Sequence, residues 1–430
     1  MIAWILSSLA SAACTVIAGA TVHAPEGPQK GLTVVVQDAE IVATGRGIEG
    51  LSLELDAQQQ VSGATWQGRR CAFVQAGGKQ LTAGLVAVPT QIGLVEIGLE
   101  PSTRSSDPGT DDPIRASLDI VDAYDPRSTL IPVSRIEGIT TSVIVPGGGF
   151  VSGAAGLVVL RGSTQADTIL SRRVAMAVSL PSGSSAEGLR QLSELIREAR
   201  DWARNPAAFE RSRPLPEGAS RLDLEAMGPV SRGALPILIG ADRASELEAL
   251  IRVASELKIR VILVGAAEGW MLADQLAEAG IPVILDPLVY GPGGFDQRGA
   301  RADNARLLAE AGVEIILTAG FGVSHNARTL RQAAGNAVRG GLPHGEALRA
   351  ITATPAAVFG AESRGRIEPG AVADLALWSG DPLELSTSLV GLWIEGAPVP
   401  LRSRQTELAE RYLTLPVQPR QPLPLPDAGG

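Results

Sequence analysis

Apolar and polar residues alternate at the two ends of this chain but not in its middle. Residues 15–81 combine short apolar runs, β-branched residues and turn signals that contain Gly or Asp, and residues 371–402 return to the same pattern. A period of two is typical of antiparallel strands that bury one face. We therefore predict one composite β-sandwich domain, formed by residues 14–82 together with residues 364–402.

Residues 83–363 show a different pattern, in which continuous apolar runs alternate with amphipathic helical segments. Runs that are apolar throughout are typical of strands covered on both faces, as in a parallel barrel. We therefore predict an α/β fold with a (β/α)8, or TIM, barrel, and an amphipathic helix at 186–206 that enlarges the connection between the fourth and fifth strands. The candidate strands are 84–88, 139–145, 156–161, 174–180, 235–241, 260–265, 281–286 and 314–319.

The two termini have compositions of their own. Residues 1–13 are apolar, and Ala10-Ser11-Ala12 fits the small-x-small pattern of a signal-peptidase site, although no Lys or Arg precedes it. The segment is too short to span a bilayer. We expect a signal peptide, a periplasmic or secreted location and no transmembrane segment in the mature chain. Residues 403–430 are predicted to form a C-terminal helix and a proline-rich tail.

Composition limits the classes of partner. Of the 430 residues, 45% are hydrophobic and 19% are charged, so the chain can bury a large core. The formal net charge is −9 and there is no long basic run, which argues against nucleic acid as a partner.

The chain has two cysteines, Cys14 and Cys71. Both fall in or beside the predicted N-terminal strands, so they could pair in an oxidising compartment. Alternatively, Cys14 lies at the processing site, where it is removed or carries a lipid, and Cys71 is a buried free thiol. Lipidation is disfavoured because the residue three places before Cys14 is Ser11 rather than an aliphatic residue.

The segment Gly345–Pro382 carries the most specific motifs. It contains Ala-Ile-Thr-x-x-Pro-Ala and then Gly-x-Ile-x-Pro-Gly-x-x-Ala-Asp-Leu-Ala-Leu-Trp. This segment resembles the closing segment of the amidohydrolase superfamily, which contains metal-dependent hydrolases such as imidazolonepropionase and dihydroorotase. In that superfamily the chain leaves a (β/α)8 barrel there and returns to a small β-sandwich. The resemblance extends from Thr15 to about Leu401.

The resemblance implies zinc or another divalent metal, held at the C-terminal ends of barrel strands to activate water. The residues that stand at the corresponding positions are Pro89, Gln91, Ile239, Gly265 and Gly320. None of them offers the imidazole or carboxylate that the family uses. The family's carboxylated lysine has no counterpart, because Lys30, Lys79 and Lys258 are not at predicted strand ends. We therefore expect the metal ligands, and with them the cofactor, to be missing.

Replacement chemistry has few candidates. The chain has three histidines, whereas a binuclear site of this family uses four, and His325 follows the eighth strand on the face where such sites lie. Asp242, Glu268 and Asp286 also follow predicted strands. They could form an oxygen-only cation site or an acid–base pair. Alternatively, they pair with Arg243 or cap helices. The catalytic residues therefore stay undetermined.

Three functions are compatible with the sequence. The leading hypothesis is an exported, catalytically degenerate member of this family that binds a small molecule at the barrel mouth, or forms a homo- or hetero-oligomer with an amidohydrolase paralogue. The alternative is an active hydrolase of carbon–nitrogen (non-peptide) bonds with a relocated or metal-independent site. A third reading is a structural interaction protein of the cell envelope that uses its tail.

Overall fold

Two separate β-sheets contain the strands that the structure describes. The computed structural model describes residues 14–56, 61–107, 112–181, 185–212, 214–320 and 324–413. The predicted signal peptide, 1–13, and most of the predicted tail, 414–430, lie outside these residues. Among the described helices, none combines the length and the apolar character needed to cross a bilayer.

The strands are numbered in chain order as β1 (Cys14–Ala24), β2 (Gly27–Gln37), β3 (Glu40–Gly45), β4 (Leu51–Leu55), β5 (Val61–Trp66), β6 (Arg69–Gln75), β7 (Gln80–Ala83), β8 (Leu85–Thr90), β9 (Ile139–Ile144), β10 (Val151–Val159), β11 (Ile169–Val178), β12 (Ile237–Ala241), β13 (Val261–Gly265), β14 (Val283–Leu285), β15 (Ile315–Leu317), β16 (Leu375–Trp378), β17 (Leu389–Ile394) and β18 (Ala397–Pro398). The helices are α1 (Leu130–Arg135), α2 (Gln165–Thr168), α3 (Ser185–Arg204), α4 (Pro206–Ser212), α5 (Arg221–Ser231), α6 (Ala244–Leu257), α7 (Ala273–Glu278), α8 (Asn304–Glu310), α9 (Leu330–Arg339), α10 (His344–Arg349), α11 (Ala353–Val358) and α12 (Arg404–Leu413). Short 3₁₀ helices occupy Pro101–Thr103, Ile120–Ala123, Gly269–Leu272, Phe295–Gln297 and Ser324–Thr329.

The barrel prediction is confirmed. Strands β8 to β15 form an eight-stranded sheet in sequential order, and each of the eight predicted apolar runs contributes one strand. The gap between the first and last strands is bridged by the backbone that follows α10. Val86 N donates to Ile351 O over 2.9 Å, and Leu317 N donates to Ala350 O over 3.0 Å. The barrel is thus nearly closed, with one residue pair acting as the link.

The parallel arrangement was wrong at the third strand. The run predicted at 156–161 is β10, which begins earlier and lies antiparallel to both β9 and β11. The physical reason is connection length. The link from β9 to β10 covers only residues 145–150, and a parallel crossover needs a dozen residues or more. The glycines at 147–149 allow this tight turn.

Alternate residues of the barrel strands face two different cores. Leu238, Ile262, Ile284 and Ile316 pack together inside the barrel, where Phe359 also packs. Their neighbours along the strands, such as Ile237, Leu263, Val283 and Ile315, pack instead in the larger core that includes the surrounding helices. Because both faces are covered, the strands read as continuous apolar runs in the sequence.

The second sheet is the predicted composite sandwich. Strands from both chain ends meet where β7 pairs with β16, with Leu81 opposite Leu377. Both faces of β1 are buried, since Ile17 and Val22 belong to one core and Cys14 and Val16 to another. Strands thus lie at both ends of the chain as predicted, but β1 is buried on both faces and pairs parallel with β6 and β7, which the predicted antiparallel pattern did not include.

Cys14 and Cys71 form a disulfide between the neighbouring strands β1 and β6. Their Cα atoms are 4.7 Å apart, and the two side chains are 2% and 6% exposed. Of the alternatives for Cys14, which were pairing, removal and lipidation, the structure therefore shows pairing.

A buried ionic junction, formed by Arg364, Asp374 and Glu395, lies in the motif segment. Arg364 Nη1 is 2.6 Å from Asp374 Oδ2, and its Nη2 is 2.5 Å from Glu395 Oε1. Asp374 Oδ1 also accepts a hydrogen bond from Glu395 N over 2.8 Å. Arg161 follows β10 in the barrel, and its Nη1 lies 3.3 Å from Glu395 Oε2. The ion pair between Arg161 and Glu395 thus connects this cluster to the barrel.

Candidate functional site

The barrel mouth is the end of the barrel where the parallel strands β8, β9 and β11 to β15 have their C-terminal ends and where the antiparallel β10 begins. The fold places functional groups there. Pro89 is the second-last residue of strand β8, and Gln91 directly follows that strand. Gly265 is the last residue of β13. Gly320 lies three residues beyond the end of β15. Four of the five positions drawn from the resemblance therefore lie at strand ends.

The fifth position, Ile239, does not face the mouth. Ile239 packs in the outer core beside the helices, whereas its neighbour Leu238 packs inside the barrel. Side chains alternate along a strand, so the next inward position is Gly240, which is exposed at the mouth. On the fifth strand, the residue that faces the mouth is therefore Gly240 rather than Ile239.

The glycines at the mouth leave room for neighbouring side chains. A Cβ added at Gly265, where φ is +99°, would lie 2.5 Å from Asp242 Oδ1. A Cβ added at Gly320, where φ is +65°, would overlap the side-chain amide of Asn326. Asp242 and Asn326 therefore occupy the space that a side chain at these two positions would need.

Asp242 and Asp286 are held by amide groups. Asp242 accepts hydrogen bonds from Ala267 N at Oδ1 (3.1 Å) and from Gln297 Nε2 at Oδ2 (2.9 Å). Asp286, only 8% exposed, accepts from Leu288 N at Oδ1 (2.9 Å) and from Gly320 N at Oδ2 (2.8 Å). Both carboxylates line one small void beside the mouth.

Glu268 lies apart from that pair and has an anchoring role. It is 5% exposed and accepts hydrogen bonds from Ala244 N over 2.9 Å and Gly299 N over 3.2 Å. It therefore ties the start of α6 to the loop between β14 and α8. Arg243 does not pair with Asp242, as one alternative held, but with Glu246 at 2.5 Å and Asp296 at 3.2 Å.

The three histidines divide into one exposed residue and one pair. His325 is exposed in the 3₁₀ helix after β15. His23 and His344 lie far from the mouth, with ring centroids 6.0 Å apart. His344 Nε2 is 2.9 Å from Asp381 Oδ1, and His23 Nε2 is 2.6 Å from Gln80 Oε1. Burial, more than any other effect, lowers the pKa of His23. Sequence reasoning missed this pair because no local pattern relates residues so distant along the chain.

No group of three or more His, Cys, Asp or Glu side chains is placed to hold a metal ion in the part of the chain that the structure describes. The mouth nevertheless has a cleft of about 290 Å³ above β11, β12 and β13. Its polar lining includes Ser185, Asp242, Arg243, Glu246 and Gln297.

A larger groove, of about 720 Å³, lies at the opposite end of the barrel. Its lining includes Pro236, Arg260 and Pro282, which precede β12, β13 and β14. Since chemistry in this fold is found at the C-terminal ends of the strands, the smaller cleft at the mouth is the candidate ligand site.

Comparisons with known proteins agree on one family. A sequence profile of the amidohydrolase family matches residues 271–400. The amidohydrolase tasK of Hapsidospora irregularis is 23% identical over 368 residues. That match covers 75% of this chain but only 36% of the relative, so the chain spans about a third of that protein's length.

Solved structures show the same architecture. An amidohydrolase from Thermotoga maritima superposes with a TM-score of 0.76 at 23% identity, covering 90% of this chain and all of that one. A molinate hydrolase superposes with a TM-score of 0.54 at 16% identity, covering 97% of this chain and all of that one. At these identities the likeness supports the fold.

Proposed function

Because the chain belongs to the amidohydrolase superfamily, we propose that it is a divergent member that has lost the metal ligands and binds a small molecule at the barrel mouth. One observation carries this proposal, namely the set of residues at the strand ends. These residues are Pro89, Gln91, Gly240, Gly265 and Gly320. None of them can supply an imidazole or a carboxylate to zinc.

Activation of water is the step that such a mouth would lack. In this reaction class a divalent ion lowers the pKa of bound water, and a nearby base accepts the proton. Asp242 and Asp286 already accept two amide hydrogen bonds each, and Gly320 replaces the base expected after the eighth strand. These two carboxylates hold loops, and no histidine or cysteine among the described residues lines their void to bind zinc beside them.

The mouth cleft supports a binding role. It joins the apolar side chains of Leu180 and Val264 to the polar groups of Ser185, Asp242 and Gln297. An apolar wall with a few convergent polar groups is the usual composition of a small-molecule site. A role as a subunit beside an active paralogue is the other form of this proposal, and it would use the same inactive barrel.

Export is part of the proposal. The disulfide between Cys14 and Cys71 supports it, since disulfides persist in oxidising compartments. A thiol that is bonded to Cys71 cannot also carry a lipid, so the proposal is a soluble mature chain. Mass spectrometry of the protein from the periplasm or medium tests this: we expect a chain without residues 1–12 or 1–13 and two hydrogens lighter than the reduced form. An intact N-terminus in the cytoplasm would contradict export.

The first test of the lost metal site is elemental analysis of the purified protein after growth with added zinc and manganese. We expect clearly substoichiometric zinc and manganese, because the described residues provide no cluster of family ligands. One or two equivalents of zinc per chain would contradict the proposal. The analysis should include the H325A variant, in which His325 is replaced, because a metal lost with that side chain would locate a new site.

The relatives favour one alternative, an active hydrolase of carbon–nitrogen bonds. Two of the similar proteins are described as amidohydrolases. His325 is the candidate general base for such an activity, as the one histidine near the mouth. A screen of amides and cyclic ureides with wild type and H325A decides between the readings. Turnover that H325A abolishes would favour the hydrolase, and equal background rates would favour a binding protein.

A further inference from the structure

A small void lies beside the mouth, beneath the loop that joins β14 to α8. Asp242 follows β12, Asp286 follows β14 and Asn304 begins α8, and all three residues line the void. Its volume is about 10 Å³, which is on the order of the space that one water molecule or one metal ion needs.

Asn304 has an unused acceptor in this void. The residue is 6% exposed, and its Nδ2 donates to Ala266 O over 2.9 Å. Its Oδ1 is buried and has no hydrogen-bond partner within the described residues. Such an atom costs roughly 1–3 kcal/mol when it stays unsatisfied, so a bound group is expected opposite it.

The two carboxylates bring negative charge to the same void. Their hydrogen-bond donors are amide N–H groups, which leave each carboxylate oxygen with further acceptor capacity. The cationic residue in the lining is Arg301, but its guanidinium group is engaged elsewhere. Its Nη2 donates to Asp303 Oδ2 over 2.8 Å, and its Cζ lies 4.6 Å from the ring centroid of Trp270. The charges of Asp242 and Asp286 are therefore not balanced by a described side chain in the void.

We propose that this void binds a calcium ion through oxygen atoms of Asp242, Asp286 and Asn304. Two carboxylates and an amide carbonyl are the donors that a hard cation prefers, and the absence of His and Cys from the lining disfavours zinc. Calcium fits better than magnesium because it tolerates irregular coordination and takes further oxygens from backbone or water. Of the five strand-end positions, Gly265 also lines this void and Gly320 N donates to Asp286, but neither supplies an oxygen ligand to the ion. The calcium site therefore holds whether or not the mouth binds a small molecule.

The cation would stiffen one wall of the mouth cleft. Asp242 and Gln297 line both the void and the cleft, and Gln297 belongs to the loop that covers the void. An ion bound to Asp242 and Asp286 would therefore hold the ends of β12 and β14 and their loop in one arrangement.

The test uses the full chain after treatment with a chelator. We expect titration calorimetry with calcium chloride to show one equivalent bound, and calcium to raise the Tm. Asp286→Asn should weaken binding by about tenfold or more, because it removes one of two charges. Asn304→Asp should tighten binding, because it adds a charged oxygen at the position of Oδ1.

Asp223→Asn is the matched control. Asp223 is also buried, at 3% exposure, and accepts from Ser117 N over 2.8 Å, but it does not line the void. This variant should lower the Tm and leave the calcium affinity unchanged. A Tm and a heat signal that do not respond to calcium in the wild type would overturn the proposal and leave a buried water as the occupant. A calcium affinity that neither Asp286→Asn nor Asn304→Asp changes would also overturn the proposal. Zinc content decides the proposed function, because an all-oxygen void without His or Cys disfavours zinc, whereas manganese can occupy the same oxygen site as calcium. The zinc and calcium measurements therefore test the two proposals separately.

Discussion

The barrel mouth and the junction between sandwich and barrel both hold buried carboxylates, but different partners stabilise them. At the mouth, Asp286 is bound by two backbone amides. At the junction, Asp374 is 1% exposed and paired with the guanidinium group of Arg364, itself 6% exposed. The motif segment thus holds Asp374 by a buried ion pair, whereas Asp286 at the mouth is held by backbone amides. The comparison shows that burial of a carboxylate can be offset either by a guanidinium group or by amide hydrogen bonds.

The largest effect should follow from Arg364→Met. The substitution leaves the carboxylate of Asp374 buried without its cation, which typically costs about 3–5 kcal/mol. Chemical denaturation with a stability readout measures this loss. The control is Arg402→Met, whose ion pair with Glu410 is exposed on both sides and should contribute roughly 0–1 kcal/mol. Equal losses in the two variants would show that the junction does not depend on its charge pairing.

Gly320→Ala should have the next largest effect and tests how tightly the mouth is filled. The new Cβ would overlap the Asn326 side chain, and overpacking costs roughly 1–3 kcal/mol. Gly280→Ala is the matched control, because φ is +60° there and +65° at Gly320, yet nothing lies within 4 Å of its Cβ. The difference between the two variants in free energy of unfolding isolates the overlap. The double variant Gly320→Ala/Asn326→Ala should remove most of that difference.

Asp242→Asn should have a smaller effect on stability than either change. It keeps the size of the side chain but turns one acceptor oxygen into a donor, opposite Ala267 N or Gln297 Nε2. Loss of one such hydrogen bond costs about 1 kcal/mol. Thermal and chemical unfolding in the presence of a chelator measure it. A loss as large as that of Arg364→Met would erase the contrast between mouth and junction.

The smallest effect concerns pH and the paired histidines. Because burial lowers the pKa of His23 below its usual 6.5, the unfolded chain binds the proton more readily than the folded chain. Stability from this group is therefore complete above pH 6.5 and is lost as pH falls towards the folded-state pKa, by about 1.4 kcal/mol for each unit between the two pKa values. Gln80, His344 and Asp381 face the ring and modulate the shift.

The Tm of wild type and His23→Gln between pH 8 and pH 5 checks this expectation. The variant should show a flatter pH dependence, whereas His325→Gln, at an exposed position, should follow the wild type. Parallel curves for wild type and His23→Gln would contradict it.

Sequence patterns predicted the strands better than their directions. Ile237 to Ala241 and Val261 to Gly265 were recognisable because both faces of each strand are covered. The direction of β10 was not recognisable, because an apolar run does not indicate which way its strand lies in the sheet. The short link of six residues before Val151 is what reveals the reversal. The sequence did not indicate that Ile239 faces the outer core, because alternation inside a fully apolar strand is invisible in the sequence.

The candidate site was less predictable than the fold. Asp242, Glu268 and Asp286 were identifiable as residues that follow strands, but not which of them share a cavity. That depends on the loop between β14 and α8, whose Gln297 and Gly299 bind Asp242 and Glu268 separately. The role of Asn304 was not predictable. An asparagine at the start of a helix is common, and no sequence motif shows that its side-chain oxygen is buried without a hydrogen-bond donor.

The link between the first and last barrel strands has a consequence for biosynthesis. Ala350 and Ile351 bridge β15 and β8, and β16, which pairs with β7, comes still later in the chain. While the ribosome is making the first 349 residues, the barrel therefore stays open and the sandwich lacks its C-terminal strands. The edges of β7, β8 and β15 therefore stay unpaired until residues 350–378 have been made, and unpaired strand edges expose a nascent chain to aggregation.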